Sequence, residues 1–373
     1  MNMQETTSYE RYQRQIILRG FGQAGQEKLL RAKVLVIGAG GLGCPALLYL
    51  AAAGIGKLGV VDDDLIQLHN LHRQPLYAME NLEKPKAQTA AAFLRQLNPG
   101  LTIVAHQERL TTNNALDLLS GYDIIVDGTD NFSSRYLIND ACVLLNKPLV
   151  AGAVSQYEGQ LAIFNVERKG EEKVNYRDLF PEPPADGEVM SCAESGVLGV
   201  LPGIIGTMLA AETIKLITGI GQALANRLFL YNVLNNQGYE LILQKKKGGD
   251  TGLPYSAEQF RQTDYAVFCG TKSHLYDIQA ETFLSWVESG KVRIIDVRES
   301  GEEPRILDFD HEHIPLTQLS QRFEMREQER VLFFCQSGIR SRQAVRWMHE
   351  KYGQDKKFYS LQGGILNVWK HQE

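Results

Sequence analysis

Gly38, Gly40 and Gly43 hold the glycine positions of G-A-G-G-L-G, which follows the apolar run V-L-V-I and precedes an alanine- and leucine-rich stretch. A strand running through such a turn into a helix bends tightly, lets the backbone approach phosphate, and aims a helix N-terminus at negative charge. Gly41 belongs to the same turn. Asp62 ends the next apolar run, where a carboxylate can accept hydrogen bonds from ribose hydroxyls. To this point a nicotinamide oxidoreductase fits equally well. The chain then adds cations: Arg14 in R-Y-Q-R-Q, Arg73 in N-L-H-R-Q and Lys86 in K-P-K-A. Asp130 in D-G-T-D-N lies just past a further apolar run. Three cations around a triphosphate stabilise charge moving onto departing pyrophosphate, and a carboxylate can hold Mg²⁺. Singly, each has an ordinary reading: surface Arg and Lys are common, and Asp130-Asn131 can cap a helix. Jointly they favour ATP over a dinucleotide.

A second constellation lies near the other end. Cys335-Gln-Ser-Gly-Ile-Arg340 follows the apolar V-L-F-F and leads toward a helical stretch. In such a turn backbone N–H groups converge on the sulfur. With Arg340 and a helix N-terminus they favour a thiolate and can hold a terminal persulfide anion. An inert buried thiol is the plain alternative. A phosphatase-type loop requires arginine one place later, where Ser341 stands. Cys192, in M-S-C-A-E-S-G-V, follows Pro181, Pro183, Pro184 and Gly187, a composition that reads as a flexible crossover loop. Cys44 and Cys142 read as core, Cys269 as structural. A nucleotide site and a reactive sulfur on one chain point to a group that is activated and then given sulfur.

The elements that must position these residues follow from pattern. At 373 residues the chain exceeds one ordinary core, which predicts two domains. From Val34 to Val166 the pattern alternates: short apolar runs (V-L-V-I-G, K-L-G-V-V-D, L-T-I-V-A, Y-D-I-I-V-D, P-L-V-A-G-A-V) are interleaved with helical stretches at Pro45–Ala53, Pro85–Leu97, Asn113–Leu119 and Ser133–Leu145. Such alternation predicts an α/β fold, a mainly parallel sheet covered on both faces. Q-L-A-I-F-N-V, R-L-F-L-Y-N-V and Y-E-L-I-L read as later, antiparallel strands. The apolar stretch Val197 to Ile217 contains Pro202, Glu212 and Lys215, so it reads as a buried helix rather than a membrane span. K-K-K-G-G-D-T-G-L-P opens a linker, giving an expected division into 1–247, a linker at 248–272, and a smaller α/β domain at 273–373. In that domain Ala280–Glu288 and Ser341–Glu350 read as helices, Val292–Arg298 and Val331–Phe334 as strands. A net charge of −5 argues against a nucleic-acid partner. Five widely spaced cysteines without a C-x-x-C pair, and a polar N-terminus without an apolar signal, fit a reducing cytoplasm.

Taken together, R-Y-Q-R-Q-I-I-L-R-G-F-G, G-A-G-G-L-G-C, N-L-H-R-Q, K-P-K-A, T-D-N-F-S-S-R and G-Q-L-A-I-F make residues from about 9 to 245 resemble the adenylating domain of the MoeB/ThiF family, relatives of the ubiquitin-activating enzymes. The resemblance implies a Rossmann-like sheet, ATP·Mg²⁺ binding, and adenylation of the C-terminal glycine carboxylate of a small β-grasp sulfur carrier ending in Gly-Gly. It gives Asp62 to the ribose, Asn70, Arg73 and Lys86 to the phosphates, and Asp130 to Mg²⁺. It sends Arg14 into a neighbouring subunit's site, hence a homodimer. I-I-D-V-R-E, H-I-P, C-Q-S-G-I-R-S and L-Q-G-G-I-L-N-V-W make residues from about 273 to 373 resemble a single rhodanese domain. The order of the two is that of MoeB/ThiF–rhodanese fusions. The resemblance implies a Cys335 persulfide, charged by a cysteine desulfurase or thiosulfate, that converts the adenylate to a thiocarboxylate for molybdopterin or thiamine synthesis. It gives Cys192 a transient acyl or disulfide link, with an inert thiol as the alternative. Relatives carry two C-x-x-C pairs that bind zinc. Here Asn175 and Asp178 stand at the first, and D-T-G-L (Asp250 to Leu253) at the second, so no zinc is expected. The alternatives are a nicotinamide-dependent oxidoreductase, against which the cations speak, and a non-catalytic scaffold for a ubiquitin-like protein, against which Asp130 and Cys335 speak.

Overall fold

The strand that feeds the glycine turn, β1 (Lys33–Ile37), is buried along V-L-V-I and lies inside a sheet. The computed structural model describes residues 3–168, 170–184, 195–246, 252–269, 276–290, 292–302, 309–325, 330–353 and 356–370. β2 (Lys57–Val61), β3 (Thr102–His106), β4 (Ile124–Asp127) and β5 (Leu149–Ser155) join β1 in parallel. β6 (Glu158–Phe164), β7 (Arg227–Asn232) and β8 (Gln237–Ile242) continue antiparallel, in the order β3-β2-β1-β4-β5-β6-β7-β8. The order reverses at β1 and β4, so their C-terminal ends open a crevice, the usual ligand position in such sheets.

The helices α3 (Gly43–Ala53), α4 (Lys86–Leu97), α5 (Ala115–Ser120) and α6 (Phe132–Leu144) fall where the pattern places them. Ahead of β1 lie α1 (Met3–Ile16) and α2 (Gly22–Arg31). The apolar stretch forms the helix Val200–Thr218, the one described helix long and apolar enough to cross a membrane. It packs on α3, β5 and β6, and buried Glu212 pairs with Lys215 and accepts the Leu224 N–H at 2.9 Å.

The N-Y-R-D segment closes on itself as α7 (Tyr176–Leu179) with its cap. Asn175 Oδ1 accepts the Arg177 N–H, Asp178 Oδ2 accepts the Asn175 N–H, both at 2.8 Å, and Asp178 Oδ1 accepts the Lys246 N–H at 3.2 Å. Beside it lies a buried ion pair: Arg177 Nε and Nη2 donate to Asp140 at 2.8 and 2.7 Å, and Tyr265 OH donates to Asp140 at 2.7 Å.

The chain divides into two compact units, the first ending at Tyr265 and the second running from Ala266. The helix Ala257–Gln262, inside the expected linker, packs on α6, so the first unit extends past residue 247. In the second unit β9 (Asp277–Ile278), β10 (Arg293–Asp296), β11 (Glu312–His313), β12 (Arg330–Phe334) and β13 (Lys357–Leu361) form a parallel sheet ordered β11-β10-β12-β13-β9. Phe323, Phe333 and Phe358 pack on one of its faces, Phe283 and Phe334 on the other.

Candidate active sites: a nucleotide cleft and a sulfur loop

The glycine turn is held by contacts that only glycine permits. Gly38 has φ +91°, and a Cβ there would meet Gly128 O at 2.9 Å; a Cβ on Gly43 would meet Gly38 O at 1.8 Å. Glycine at 43 therefore brings α3 against the turn, whereas Gly38, Gly40 and Gly41 line the space above it. That space is a cleft of about 420 Å³ whose wall also contains Asp62, Asn70, Arg73, Lys86 and Asp130. Apart from Gly43, every residue that the sequence assigns to nucleotide or metal within one subunit meets there.

Their settings differ. Asp62 accepts the Ala39 N–H at 2.7 Å and the Asp64 N–H at 2.9 Å, which ties the end of β2 to the turn. Burial pushes its carboxyl up, and the charge of Lys86 opposes that. Lys86 opens α4, is buried, and donates to Asp64 at 2.7 Å. Arg73 is half-buried; its Nη1 donates to His69 O at 2.9 Å. Asn70 is buried and accepts the Gln67 N–H at 3.1 Å. Asp130 is exposed beyond β4, next to Asn131, whose side chain caps α6 by accepting the Ser134 N–H at 2.9 Å. Tyr77 OH donates to Ala39 O at 2.9 Å, and burial pushes the neighbouring Cys44 thiol up to about 12, which leaves Cys44 a core residue.

Several residues of the wall were given no role from the sequence, among them Asp64, Gln74, Glu108 and Arg109. Glu108 and Arg109 follow β3, and the rule that ligands sit at the C-terminal ends of parallel strands is a signal that could have found them. Gln74 is the residue after Arg73. Its Oε1 is buried without a hydrogen-bond partner. An acceptor buried in that way costs about 1–3 kcal/mol, which fits a wall made to meet a ligand's donor. The carboxylates of Asp62, Asp63 and Asp64 lie close enough together to offer an oxygen-only donor set, the kind that suits a hard ion such as Mg²⁺, and Asp130 lines the same cleft. Arg14 lies outside this cleft, exposed in the last turn of α1 beside Ile17 (67% exposed) and Leu18 (55%). Cys192 lies outside the described residues.

In the second unit, Cys335 is fully buried at the end of β12, just before the helix Ile339–Tyr352. The Gly338 N–H points at Sγ from 3.1 Å, and Ser341 Oγ lies 3.7 Å from it. Ser341 is fixed by Gly338 O at 3.0 Å and Ser360 Oγ at 2.9 Å. The L-Q-G-G turn braces the loop from behind: the Ile365 N–H donates to Cys335 O at 2.9 Å, and a Cβ on Gly364 would meet Gln336 O at 2.4 Å. Arg340 is taken up by a carboxylate. It makes a bidentate pair with Glu302, Nη1 to Oε1 and Nη2 to Oε2, the latter at 2.7 Å. The partner was not legible because it lies in G-E-E-P, 38 residues upstream and without a motif. Arg298, which the strand pattern included, is buried against Asp296 at 2.7 Å and is structural.

Comparison with known proteins assigns both units. Residues 12–251 match the ThiF family, and residues 279–371 match the rhodanese-like domain. The chain belongs to the ThiF family. Over 267 residues, 70% of this chain and 97% of the relative, it is 48% identical to a sulfur carrier protein adenylyltransferase of Thermus thermophilus. Over 379 positions, covering 97% of this chain and 93% of the relative, it is 39% identical to a probable adenylyltransferase/sulfurtransferase MoeZ of Mycobacterium tuberculosis. The ThiF fold extends to more distant structures: E. coli MccB with MccA-N7isoASN aligns at a TM-score of 0.56 and 20% identity, over 64% of this chain and 73% of that one.

Proposed function

We infer that the chain is an adenylyltransferase and sulfurtransferase that activates the C-terminal glycine carboxylate of a small sulfur carrier protein with ATP and then converts it to a thiocarboxylate. What carries this reading is one cleft that gathers a glycine turn, Arg73, Lys86 and Asp130, on the same chain as a buried cysteine set against a helix N-terminus.

In the first half-reaction a carboxylate oxygen of the carrier attacks the α-phosphorus of ATP, and the bond to pyrophosphate breaks. The backbone of Gly40 and Gly41 and the start of α3 receive phosphate. Asp62 faces the ribose. Lys86 and Arg73 take up the charge that grows on pyrophosphate, with Asn70 beside them. Asp130 would hold Mg²⁺, which when bound adds Lewis-acid stabilisation of the same charge. Arg14, exposed beside Ile17 and Leu18, serves the cleft of a second copy in a homodimer. The N-Y-R-D segment replaces a metal clip with hydrogen bonds, so no zinc is needed.

In the second half-reaction the terminal sulfur of a Cys335 persulfide attacks the acyl carbon and AMP leaves. A thiol, for which the sequence offers Cys192, then attacks the Cys335 sulfur of the acyl disulfide: its S–S bond breaks, the thiocarboxylate leaves, and the Cys335–Cys192 disulfide formed is reduced by an external thiol. Gly338 N–H and Ser341 hold the sulfur before transfer. Thiols that stay free fit a reducing cytoplasm; Cys44, Cys142, Cys269 and Cys335 are all unpaired by disulfide.

The test is to mix the full chain with Gly-Gly-ending β-grasp carriers, ATP, Mg²⁺ and a sulfur source, and to weigh the carrier. Conversion of carboxylate to thiocarboxylate by one carrier supports the reading and names the substrate. ATP consumption without any carrier-dependent pyrophosphate release would overturn it.

A further inference from the structure

An arginine at the end of a sulfur-transfer loop is a natural seat for an anionic donor. Here that seat is taken. Arg340 and Glu302 are both partly buried, with 29% and 26% of their side chains exposed, and two nitrogens meet two oxygens. Fork-to-fork pairs of this kind are the strong class of charge-assisted hydrogen bonds. Glu302 is held in turn by the Glu299 N–H, which donates to Oε1 at 2.8 Å. Glu299 itself carries a second carboxylate near Arg340, anchored by Thr317 Oγ1 at 3.1 Å. The hydrogen bonds from Arg340 push the Glu302 carboxyl down to about 2, so the pair stays charged at any ordinary assay pH. Among the described residues a second guanidinium acts on Glu302, that of Arg298, and it is committed to Asp296. Among the described residues the loop thus offers its sulfur site backbone N–H and a hydroxyl, but no positive charge that is not already met by a carboxylate, and Arg340 has two carboxylates beside it.

We propose that Glu302 sets the class of sulfur donor: by holding Arg340 it turns the Cys335 loop away from the dianion thiosulfate and toward sulfane sulfur carried on a thiol as a persulfide. The proposal rests on the reading of Cys335 as the sulfur carrier of this chain. Loading from a persulfide proceeds by attack of the Cys335 thiolate on the terminal sulfur of R–S–SH. The new S–S bond forms at Cys335, the old one breaks, and R–S⁻ leaves: Cys–S⁻ + R–S–SH gives Cys–S–SH + R–S⁻. No dianion has to be held. Loading from thiosulfate expels sulfite, and both the incoming and leaving groups are dianions that ask for the cation Glu302 occupies.

The experiment uses the full chain with two donors. Thiosulfate is followed by thiocyanate formation with cyanide, cysteine persulfide by the intact mass of the protein, and neither assay needs ATP or carrier. Glu302→Gln keeps the shape of the side chain and removes its charge. It is expected to raise kcat/KM for thiosulfate at least about tenfold, mainly through KM, the scale of one charge-assisted hydrogen bond freed for the substrate. Loading from cysteine persulfide should stay within about twofold, on the same reasoning that no cation is used. Adding Arg340→Ala should remove the gain. Glu302→Ala serves if the glutamine variant fails to fold. Unchanged thiosulfate kinetics in a folded variant, equal gains with both donors, or a gain that survives Arg340→Ala would overturn the proposal. So would a wild-type chain that already uses thiosulfate as efficiently as cysteine persulfide. Failure of wild-type Cys335 to take sulfur from either donor would instead overturn the reading of Cys335 itself.

Discussion

Replacing Arg177 by methionine strands a charge. The Arg177 side chain is 1% exposed and that of Asp140 0%, and the two share parallel hydrogen bonds of 2.8 and 2.7 Å. Asp140 would keep Tyr265 OH at 2.7 Å and Asn139 Nδ2 at 3.0 Å, both neutral donors. Arg177 also lies over the Tyr136 ring, 5.0 Å from its centroid. Removing one partner of a buried pair costs about 3–5 kcal/mol. At roughly 2–4 °C per kcal/mol for a unit of this size, the melting transition should fall by about 6–20 °C. Differential scanning calorimetry of the full chain measures it, and the first unit's transition is the one that ATP or AMP moves upward. Arg177→Met with Asp140→Asn removes both charges and should recover at least half of the loss, because coupled neighbours do not add. The network bears on function through α6: Asn139 and Asp140 lie toward one end of it, and its cap, Asn131, adjoins Asp130 at the cleft. A drop below about 1 kcal/mol in the single variant, or a double variant whose losses simply add, would refute the assignment of a coupled buried pair. A chelator should leave this transition in place, since the same region is closed by hydrogen bonds.

Asp130→Ala should abolish carrier-dependent pyrophosphate exchange and leave persulfide loading of Cys335 intact, while Cys335→Ala should do the reverse; pyrophosphate exchange and intact mass read the two halves separately. Arg14→Ala should be inactive alone yet regain exchange when its subunits are mixed with Asp130→Ala, since one heterodimeric site would then hold both residues; no recovery after confirmed mixing assigns Arg14 to its own subunit or to structure. Gly43→Ala should cost more activity than Gly40→Ala, because a Cβ at 43 meets Gly38 O at 1.8 Å whereas one at 40 meets nothing closer than Gln74 Nε2 at 3.7 Å; nucleotide affinity by calorimetry checks the order.

How much of this was legible depended on how locally each feature is encoded. β1, β2 and β4 are buried nearly end to end, so their apolar runs identify them. Helix α1, M-Q-E-T-T-S-Y-E-R-Y-Q-R-Q-I, carries few apolar residues, and from Tyr9 onward it buries only Tyr12, so no periodicity announces it. β9 and β11 are two residues long, too short for any alternation. Of the nucleotide site, Gly38, Gly40, Gly41, Asp62, Asn70, Arg73, Lys86 and Asp130 were legible from motifs and line one cleft, whereas Gly43 and Arg14 lie outside it. The partners of Lys86 and Arg340 were not legible. Asp64 lies 22 residues from Lys86 and Glu302 lies 38 from Arg340, and only the fold decides that they meet.

Those two partners also show why the same kind of pair serves opposite ends. Lys86 makes one hydrogen bond to Asp64, a carboxylate that is 67% exposed. Water already competes for that oxygen, so the carboxylate side of the pair is screened although Lys86 itself is buried. A triphosphate carrying several charges can take the ammonium over at little cost, and Asp64 simply returns to solvent. Arg340 makes two hydrogen bonds to a carboxylate that is three-quarters covered and fixed by its own chain. A dianion arriving there would have to break both and leave Glu302 facing it across a short gap. A cation held loosely by an exposed carboxylate is available to a polyanionic substrate; one held on both sides in a covered site is not. By that argument the nucleotide cleft is built to receive charge, and the sulfur loop to receive sulfur without it.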